Sequence, residues 1–221
     1  MKILIVTATH QEIDLLVKKN DLKTDKNGFV GNINNHQLKI LVTGIGIPNT
    51  MFQLTRILEN ERFDFIIHGG IAGSFNNKIR LGEVVNVMKD CFADIGYEDD
   101  NDFVPFMKTD LLEKNKFPFT DGWLNNPTEM NQLNYKIVKG ITVNMVHGNE
   151  KSIQIMQQIY HPDVETMEGA AVAFCCLQYH VNFLQLRAIS NKVEKRNKEN
   201  WNIPLAMKNL NNEIEQILKQ I

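Results

Sequence analysis

The sequence predicts an α/β fold: a single domain of three layers, αβα, around a central sheet that is mixed but largely parallel. Two observations predict it. Short apolar runs rich in β-branched residues alternate along the chain with amphipathic segments, which is the order of strands and helices in such folds. With 221 residues, of which 43% are hydrophobic, the chain is long enough to bury one sizeable core. We therefore expect one domain over residues 1–221.

The first elements follow from apolar runs and their spacing. Residues 2–7 form a short β-branched run that is typical of a buried strand. A helix over 11–19 should follow, because its apolar side chains fall on one face. Residues 28–34 and 37–43 predict two strands joined by a tight turn that begins at Asn34, since Asn tolerates positive φ.

The rest of the chain continues the alternation. The further predicted strands are 63–68, 82–90, 136–146 and 182–189, and the further predicted helices are 48–60, 150–159, 167–179 and 203–221. The last helix is amphipathic, because apolar side chains from Leu205 to Ile221 recur at helical spacing. The acidic, Asn-rich segment 91–134 is the least regular part of the chain.

Composition excludes several classes of function. Lys and Arg number 24 against 26 Asp and Glu, and a net charge of −2 argues against a nucleic-acid binder that neutralises phosphates. The apolar run Ile3 to Val6 is too short for a signal peptide, and no stretch approaches the length of a membrane span. Cys91, Cys175 and Cys176 lack metal-ligand spacing, and the adjacent pair fits small buried apolar residues. We expect a cytoplasmic protein without a metal, membrane or nucleic-acid partner.

Two glycine-rich segments are candidates for ligand binding. GIGIPN has Asn49 in place of the third glycine of GxGxxG, and the chain lacks GxxxxGK[ST]. Neither a dinucleotide nor a nucleoside triphosphate is therefore expected, and no cofactor is predicted. In HGGIAGSF, Gly69, Gly70 and Gly73 directly follow a buried strand, where they would let a ligand approach backbone amides. A tight strand-to-helix turn with positive φ explains the same glycines.

Polar residues lie at the ends of two later elements. Glu168, in VETMEGAAVAF, stands at the start of a small-residue helix, where it is either a site carboxylate or a partner of the helix dipole. The strand LQLRAISNKV ends in Arg187, Ser190 and Asn191. Ligands bind at the carboxyl ends of strands in α/β sheets, so these three residues are candidates for the site.

VETMEGAAVAF and RAISN together resemble the paired signature of the purine nucleoside phosphorylase and nucleosidase superfamily. Glu12, GIGIPN and GGIAGSF fall in the matching order, so the resemblance spans nearly the whole chain and is weakest over about 97–134. Within the superfamily, FADIG at 92–96 and NKVEKRNKENW are most similar to the futalosine hydrolases of the menaquinone pathway. The resemblance implies a nucleoside phosphorylase-like fold, a homodimer or larger homo-oligomer, and cleavage of an N-glycosidic bond.

The resemblance also implies roles for individual residues. Glu12 matches the carboxylate that activates the attacking water, and Glu168 matches the carboxylate that holds the ribose hydroxyls. Asn191 lies where the leaving base is recognised. The predicted substrate-binding residues are Met167, Ile71, Ala72, Gly73, Ser190 and Arg187. Such a set suits an oxocarbenium-like transition state, which needs a nucleophile, contacts to the sugar and a stabilised leaving base.

Water is the expected acceptor rather than phosphate. Phosphorylases of this superfamily hold phosphate with arginines in the N-terminal loop and before the glycine segment, and with a serine inside that segment. This chain has Glu12, His68 and Ile71 at those places. A carboxylate and an isoleucine are poor ligands for a phosphate dianion.

Asn191 favours a 6-oxopurine as the leaving base. The adenine-specific nucleosidases carry Asp at this place, which can donate to purine N7 when protonated. An Asn amide donates to a 6-oxo oxygen while its carbonyl accepts from N7–H. The hypothesis is therefore release of hypoxanthine from futalosine. An Asn that only caps a turn is the alternative interpretation.

Several assignments stay open. The aryl carboxylate on the 5′ arm of futalosine needs a cationic or amide donor, for which His147, Lys192 and Arg196 are candidates by position. The alternative functions are a methylthioadenosine/S-adenosylhomocysteine-type nucleosidase, a purine nucleoside phosphorylase and a nucleoside-binding protein. The last is disfavoured, because a binder does not need a water-activating carboxylate. Structural roles fit His10 and His68 equally well, and packing under the last helix is favoured for Trp201.

Overall fold

A ten-stranded sheet runs through the molecule, and helices cover both of its faces. The computed structural model describes residues 1–100, 102–128 and 133–221. The strands are β1 (Lys2–Thr7), β2 (Lys23–Asp25), β3 (Gly28–Ile33), β4 (His36–Val42), β5 (Phe65–Ser74), β6 (Val84–Asp90), β7 (Gly96–Asp99), β8 (Asp102–Pro105), β9 (Leu124–Asn125), β10 (Lys136–Thr142), β11 (Val164–Thr166) and β12 (Phe183–Lys192). The helices are α1 (Asp14–Lys19), α2 (Ile47–Asn60), α3 (Glu150–Tyr160), α4 (Gly169–Gln178) and α5 (Ile203–Gln220), with short 3₁₀ helices at His10–Glu12, Phe106–Lys108 and Lys198–Asn200.

The strand order brings distant parts of the chain together. The path runs β11-β10-β6-β12-β5-β1-β4-β3-β2, β9 pairs with β6, and β7 and β8 form a separate hairpin. Strand β5 is parallel to both β1 and β12. Strand β11 pairs with β10 and also with β5, so the first five strands of the path close into a ring. The carboxyl ends of β1, β5 and β12 therefore meet at one end of the sheet, beside β11.

Alternate side chains of the central strands fill the core on both sides of the sheet. On one face, Ile3 and Ile5 of β1 pack with α1 and with α5, whose Ile214 is fully buried. On the other face, Leu4 and Val6 pack with α2 and α4. The three-layer αβα architecture with a mixed, largely parallel sheet is thus confirmed.

Several local predictions are also confirmed. The β3–β4 hairpin turns at Asn34, whose φ is 53°. Helix α5 ends within one residue of the predicted boundary. All three cysteines are free and buried, as small apolar residues would be. Among the described residues, no helix combines the length and the apolar character that a membrane crossing requires.

The segment GGIAGSF is not the loop that the sequence predicts. Gly69, Gly70 and Gly73 lie within β5, and none of the three has a positive φ, so the tight-turn explanation is wrong. Pairing with β12 along its length, and with β11 at Gly73, keeps this stretch extended. Ser190 and Asn191 likewise lie within β12 rather than in a loop beyond it.

The predicted helix over 11–19 is divided in two. A 3₁₀ turn ends at Glu12, and α1 begins only at Asp14. The division has a local cause, because the Glu12 carboxylate folds back to accept hydrogen bonds from the backbone and hydroxyl of Thr9. The apolar spacing over 11–19 correctly predicts the buried face of the helix but does not predict the turn at Glu12.

Other boundaries differ from the predictions at positions where pairing is long-range. The strand predicted over 136–146 ends at Thr142, and the helix predicted over 167–179 begins at Gly169. Strand β11, just before that helix, is not predicted because it is only three residues long. The irregular segment 91–134 contains β7, β8 and β9, and its residues 101 and 129–132 lie outside the described part of the chain.

Candidate active site

A cavity of about 330 Å³ opens at the carboxyl ends of β1, β5 and β12. Eight predicted site residues line it: Glu12, Ile71, Ala72, Gly73, Met167, Glu168, Ser190 and Asn191. The ninth, Arg187, lies beneath the floor and is only 1% exposed. The fold therefore brings the separately predicted segments into one site, with Arg187 as a buried support rather than a wall residue.

Several hydrogen bonds hold the Glu12 carboxylate beside the carboxyl end of β1. Its Oε2 accepts hydrogen bonds from the Thr7 hydroxyl at 2.9 Å and from the Ala8 amide at 3.1 Å, and two more come from Thr9. Its Oε1 accepts only from the Ile71 amide, at 3.2 Å, among the described residues. A carboxylate oxygen has room for more than one donor, so Oε1 keeps a free lone pair on the side of the cavity.

Glu168 precedes α4 but does not cap it. The first amides of α4 bond to threonine hydroxyls: Gly169 N–H to Thr166 at 3.1 Å and Ala170 N–H to Thr142 at 2.7 Å. The Glu168 side chain therefore makes no capping hydrogen bond to α4, and its carboxylate lines the cavity. Burial raises the pKa of Glu168 above its ordinary value, while a hydrogen bond from the Gly46 amide opposes that rise.

The GIGIPN turn acts on the site through its backbone. Gly44 and Gly46 have φ of 86° and 91°, which side chains other than glycine adopt at a cost. This conformation directs the Gly46 amide to Glu168 Oε1 at 2.8 Å. The sequence argues against a dinucleotide at this turn but does not predict that the Gly46 amide binds Glu168. The Gly-x-Gly pattern was the available signal, because it indicates an unusual backbone conformation.

Arg187 and His68 form a buried pair under the floor. Nη2 of Arg187 lies 3.0 and 2.9 Å from the two ring nitrogens of His68, and burial together with this guanidinium lowers the pKa of His68 well below its ordinary value. A structural role for His68 is thus the one observed. Burial lowers the pKa of Arg187, and the carboxylates of Glu168, Glu12 and Asp90 oppose that change.

Gly70 lets the guanidinium approach Glu12. A Cβ at Gly70 would stand 2.9 Å from Arg187 Nη1 and 3.2 Å from Glu12 Oε1. Among the described residues, Nε of Arg187 has no hydrogen-bond partner although it is buried. A small polar molecule in this region would meet a carboxylate acceptor and a guanidinium donor together.

The orientation of the Asn191 side chain is fixed by its neighbours. Its Nδ2 donates to the Lys192 carbonyl at 2.8 Å, and its Oδ1 accepts from the Ser190 hydroxyl at 2.8 Å. A carbonyl oxygen only accepts, so the amide nitrogen has to face Lys192. Asn191 pairs with Gly73 inside the sheet, which excludes the turn-capping interpretation.

A further carboxylate of the cavity, Glu165, is not among the residues that the sequence predicts. Both oxygens of Glu165 are bound to His147: Oε1 accepts from the His147 backbone amide at 2.9 Å, and Oε2 contacts ring Nδ1. Both side chains are nearly buried and line the cavity. Glu165 belongs to the VETMEG part of the sequence motif that contains Glu168. An acidic residue between Val164 and Thr166, both buried, was the signal that could have identified it.

The outer end of the cavity combines apolar side chains with two cations. It is lined by Lys192, Arg196, Trp201, Ile203 and Met207, and also by the carboxylate of Glu194. The Lys192 ammonium donates to the carbonyls of Asn76 and Ile79, at 2.9 and 2.6 Å. The Arg196 guanidinium lies over the Trp201 ring, 5.1 Å from its centre. The sequence favours packing of Trp201 under the last helix, whereas the structure shows that Trp201 lines the cavity.

The remaining histidine of interest lies apart from this cavity. His10 packs edge-on against Phe29, with 5.6 Å between ring centres. In the described ranges, no cluster of three or more His, Cys, Asp or Glu side chains is arranged to hold a metal ion.

The chain matches the family model of the phosphorylase superfamily over residues 2–221 and belongs to that superfamily. It is 28% identical to a futalosine hydrolase of Thermus thermophilus, with 81% of this chain and 80% of that protein covered. It is 29% identical to a 5′-methylthioadenosine/S-adenosylhomocysteine nucleosidase of Maridesulfovibrio salexigens, with 88% and 87% covered.

Solved structures show the same fold. A 5′-methylthioadenosine/S-adenosylhomocysteine nucleosidase of Helicobacter pylori superposes with a TM-score of 0.82 at 15% identity, covering 100% of this chain and 99% of that one. The native futalosine hydrolase of the same species also superposes with a TM-score of 0.82 at 15% identity, with 100% and 98% covered. Both kinds of relative share the architecture, so the choice between them depends on the site.

Asp90 anchors the site from below. Its Oδ1 accepts from the Thr142 hydroxyl at 3.0 Å, and its Oδ2 accepts from Gln185 Nε2 at 2.7 Å. Thr142 in turn receives the Ala170 amide, so Asp90 supports the start of α4 and hence Glu168. Burial raises the pKa of Asp90 to about 6, although its hydrogen bonds and Arg187 oppose the rise.

This raised pKa predicts a pH dependence of stability. The folded protein binds the Asp90 proton more tightly than the unfolded chain, so the contribution is full below about pH 4 and is lost as the pH rises to about 6. Relative to Asp90→Asn, the free energy of unfolding of the wild type should fall by on the order of 2–3 kcal/mol across that window. Urea unfolding at several pH values measures it, with the exposed Asp121→Asn as the matched control. Parallel profiles for wild type and Asp90→Asn would contradict the prediction.

Proposed function

We propose that this chain is a nucleosidase that hydrolyses futalosine to hypoxanthine and dehypoxanthine futalosine, a step of menaquinone biosynthesis. The observation that carries the proposal is the fixed amide of Asn191 in the cavity. Its Nδ2 has one hydrogen left to donate to a 6-oxo oxygen, and its Oδ1 has one lone pair left to accept from N7–H. A 6-oxopurine meets both groups, whereas adenine places its amino donor against the Nδ2 donor.

The outer end of the cavity supports the same substrate. The aryl carboxylate of futalosine combines an aromatic ring with a negative charge. Trp201 and Met207 offer apolar contact, and the Arg196 guanidinium is the cation beside them. Lys192 is already bound to two carbonyls, and His147 is bound to a carboxylate, so Arg196 is the best of the three 5′-arm candidates.

Glu12 is the proposed base for the attacking water. Glu12 Oε1 and Arg187 Nη1 both approach the space beside Gly70, so a water held between them would donate to Glu12 and accept from Arg187. The water oxygen bonds to C1′ and loses a proton to Glu12 as the C1′–N9 bond breaks. The bond electrons leave with the base, which takes a proton from solvent at N7, and Glu12 returns its proton to solvent.

Glu168 is proposed to hold the ribose. Its buried carboxylate lies beside Met167 on the wall, where it accepts from sugar hydroxyls. Its negative charge and that of Glu12 also stabilise the positive charge that develops on the ribosyl group in the transition state. These interactions strengthen as the bond breaks, which is the condition for catalysis rather than simple binding.

Two enzymatic alternatives remain as outcomes of the test. The 29% identical nucleosidase of Maridesulfovibrio salexigens favours a methylthioadenosine/S-adenosylhomocysteine-type activity. Membership of the phosphorylase superfamily favours phosphorolysis. A non-enzymatic nucleoside-binding protein would release no base from any substrate.

The proposal also includes a homo-oligomer, because Ile45 and Val146 line the cavity while being 56% and 41% exposed. Light scattering measures the oligomeric state.

The direct test is product analysis. We expect the purified protein to release hypoxanthine from futalosine at the same rate with and without phosphate, because a carboxylate and an isoleucine stand where a phosphate would need ligands. Chromatography of the free bases from futalosine, inosine and methylthioadenosine measures it. Strict phosphate dependence would identify a phosphorylase, and adenine release from methylthioadenosine alone would identify the other nucleosidase.

Glu12→Gln should lower kcat by about 10²–10⁴-fold, because the amide cannot take the water proton. Asp14→Asn removes an exposed carboxylate two residues away and should leave kcat unchanged. Steady-state kinetics with futalosine measures both variants, and circular dichroism checks that both are folded. A Glu12→Gln variant with wild-type kcat would exclude Glu12 as the base.

Asn191→Asp should shift the substrate preference toward 6-aminopurine nucleosides. A protonated aspartate at this position can donate its one hydrogen to N7 while its other oxygen accepts from a 6-amino group, and it no longer offers an amide donor to a 6-oxo oxygen. We expect the kcat/KM ratio of futalosine to its 6-amino analogue to fall by at least about tenfold. Asn115→Asp, at an exposed loop position, is the matched control. An unchanged ratio would count against base recognition by Asn191.

A further inference from the structure

The Glu165–His147 pair is a built feature of the cavity that the mechanism above does not use. Glu165 is 4% exposed, and its two oxygens are occupied by the backbone amide and ring Nδ1 of the same histidine. This double contact fixes both the position and the rotation of the imidazole. Among the described residues, nothing hydrogen-bonds to the opposite ring nitrogen, Nε2.

The register of three strands places this pair opposite Asn191. Gly73 of β5 pairs with Asn191 of β12 on one side and with Glu165 of β11 on the other. Residues directly opposite each other in a sheet project from the same face, and two strand spacings separate the outer residues by about 10 Å. All three residues line the cavity, and the Val193 side chain and Asn191 Nδ2 cover Gly73. A flat heterocycle bound in this cavity would have Asn191 on one side and the Glu165–His147 pair on the other.

The Glu165–His147 pair determines which hydrogen-bonding group of the base can face Nε2 of His147. A carboxylate only accepts hydrogen bonds, so Nδ1 of His147 has to carry the hydrogen that faces Glu165. In the neutral imidazole, Nε2 is then an acceptor. A 6-oxopurine whose O6 and N7 face Asn191 carries N1–H on the adjoining edge, on the other side of O6 from N7, and adenine has a bare N1 lone pair at that place.

We propose that His147, oriented by Glu165, reads the N1–H of a 6-oxopurine base on the wall opposite Asn191. This inference rests on the proposed function and deepens it, because two walls then reject adenine independently. His147 contacts the base, and Glu165 is a positioning residue that sets which ring nitrogen holds the hydrogen. The negative charge of Glu165 also makes His147 a poor partner for a carboxylate on the 5′ arm.

Glu165→Gln tests the proposal with little change of shape. The side-chain carbonyl of the introduced glutamine accepts from the His147 amide, and its NH₂ then donates to Nδ1, which leaves the hydrogen on Nε2. The ratio of kcat/KM for 6-oxopurine to 6-aminopurine should fall by at least about tenfold. The ratio is measured with futalosine and its 6-amino analogue, and with inosine and adenosine. Glu150→Gln, on the exposed start of α3, is the matched control and should keep the wild-type ratio.

Two further measurements separate recognition from structure. The wild type should cleave 1-methylinosine at least about tenfold less efficiently than inosine, and His147→Ala should abolish that difference, because no acceptor then meets N1. In the His147→Ala background, Glu165→Gln should leave the base preference unchanged. The 1-methylinosine comparison needs no variant, so it holds even where a substitution prevents folding.

The outcomes distinguish this inference from the proposed function. A wild type that prefers 6-aminopurines overturns the proposed function and, with it, the acceptor role of His147. A wild type that prefers 6-oxopurines, combined with an unchanged ratio in Glu165→Gln or equal cleavage of inosine and 1-methylinosine, overturns the inference alone.

Discussion

Strand β5 carries no side chain at three positions, and each gap is filled by a group on which the site depends. A Cβ at Gly69 would stand 2.8 Å from Ile214 of α5, one at Gly70 would meet Arg187 Nη1 and Glu12 Oε1, and one at Gly73 would lie 3.2 Å from Asn191 Nδ2. The close approach of helix, floor and wall to this one strand therefore depends on glycine. The core and the site share the same backbone and are not separate parts of the molecule.

The charges around that strand are unequal. Glu12 and Glu168 face the cavity, Asp90 lies below it, and one buried guanidinium, Arg187, is shared among them. His68 adds no positive charge, because its pKa is held well below the ordinary value. A surplus of negative charge in a site of low polarity suits a reaction whose transition state is cationic at the sugar. It also disfavours a phosphate dianion, in agreement with the proposed hydrolysis.

Sequence patterns predicted the layers, most helices and the identity of the wall residues, because these depend on local apolar spacing and on the motifs around Glu168 and Asn191. They did not predict where strands end. Gly73 and Asn191 are extended because β11 and β12 pair with β5, and such long-range pairing leaves no local signal. For the same reason the motif VETMEG showed Glu165 without revealing its partner, since His147 lies 18 residues away and meets it only in the folded chain.

The three glycines of β5 also constrain how this site can change over evolutionary time. Substitution at Gly70 would displace Arg187 and Glu12 together, so the groups proposed to activate water are fixed to the strand. The residues proposed to face the base, Asn191 and His147, line the sides of the cavity and are each oriented by a neighbouring side chain. New substrate preferences can therefore arise by exchanging wall residues while the floor stays constant. Descendants of one such fold would differ in the base they release and still share a single way of attacking the sugar.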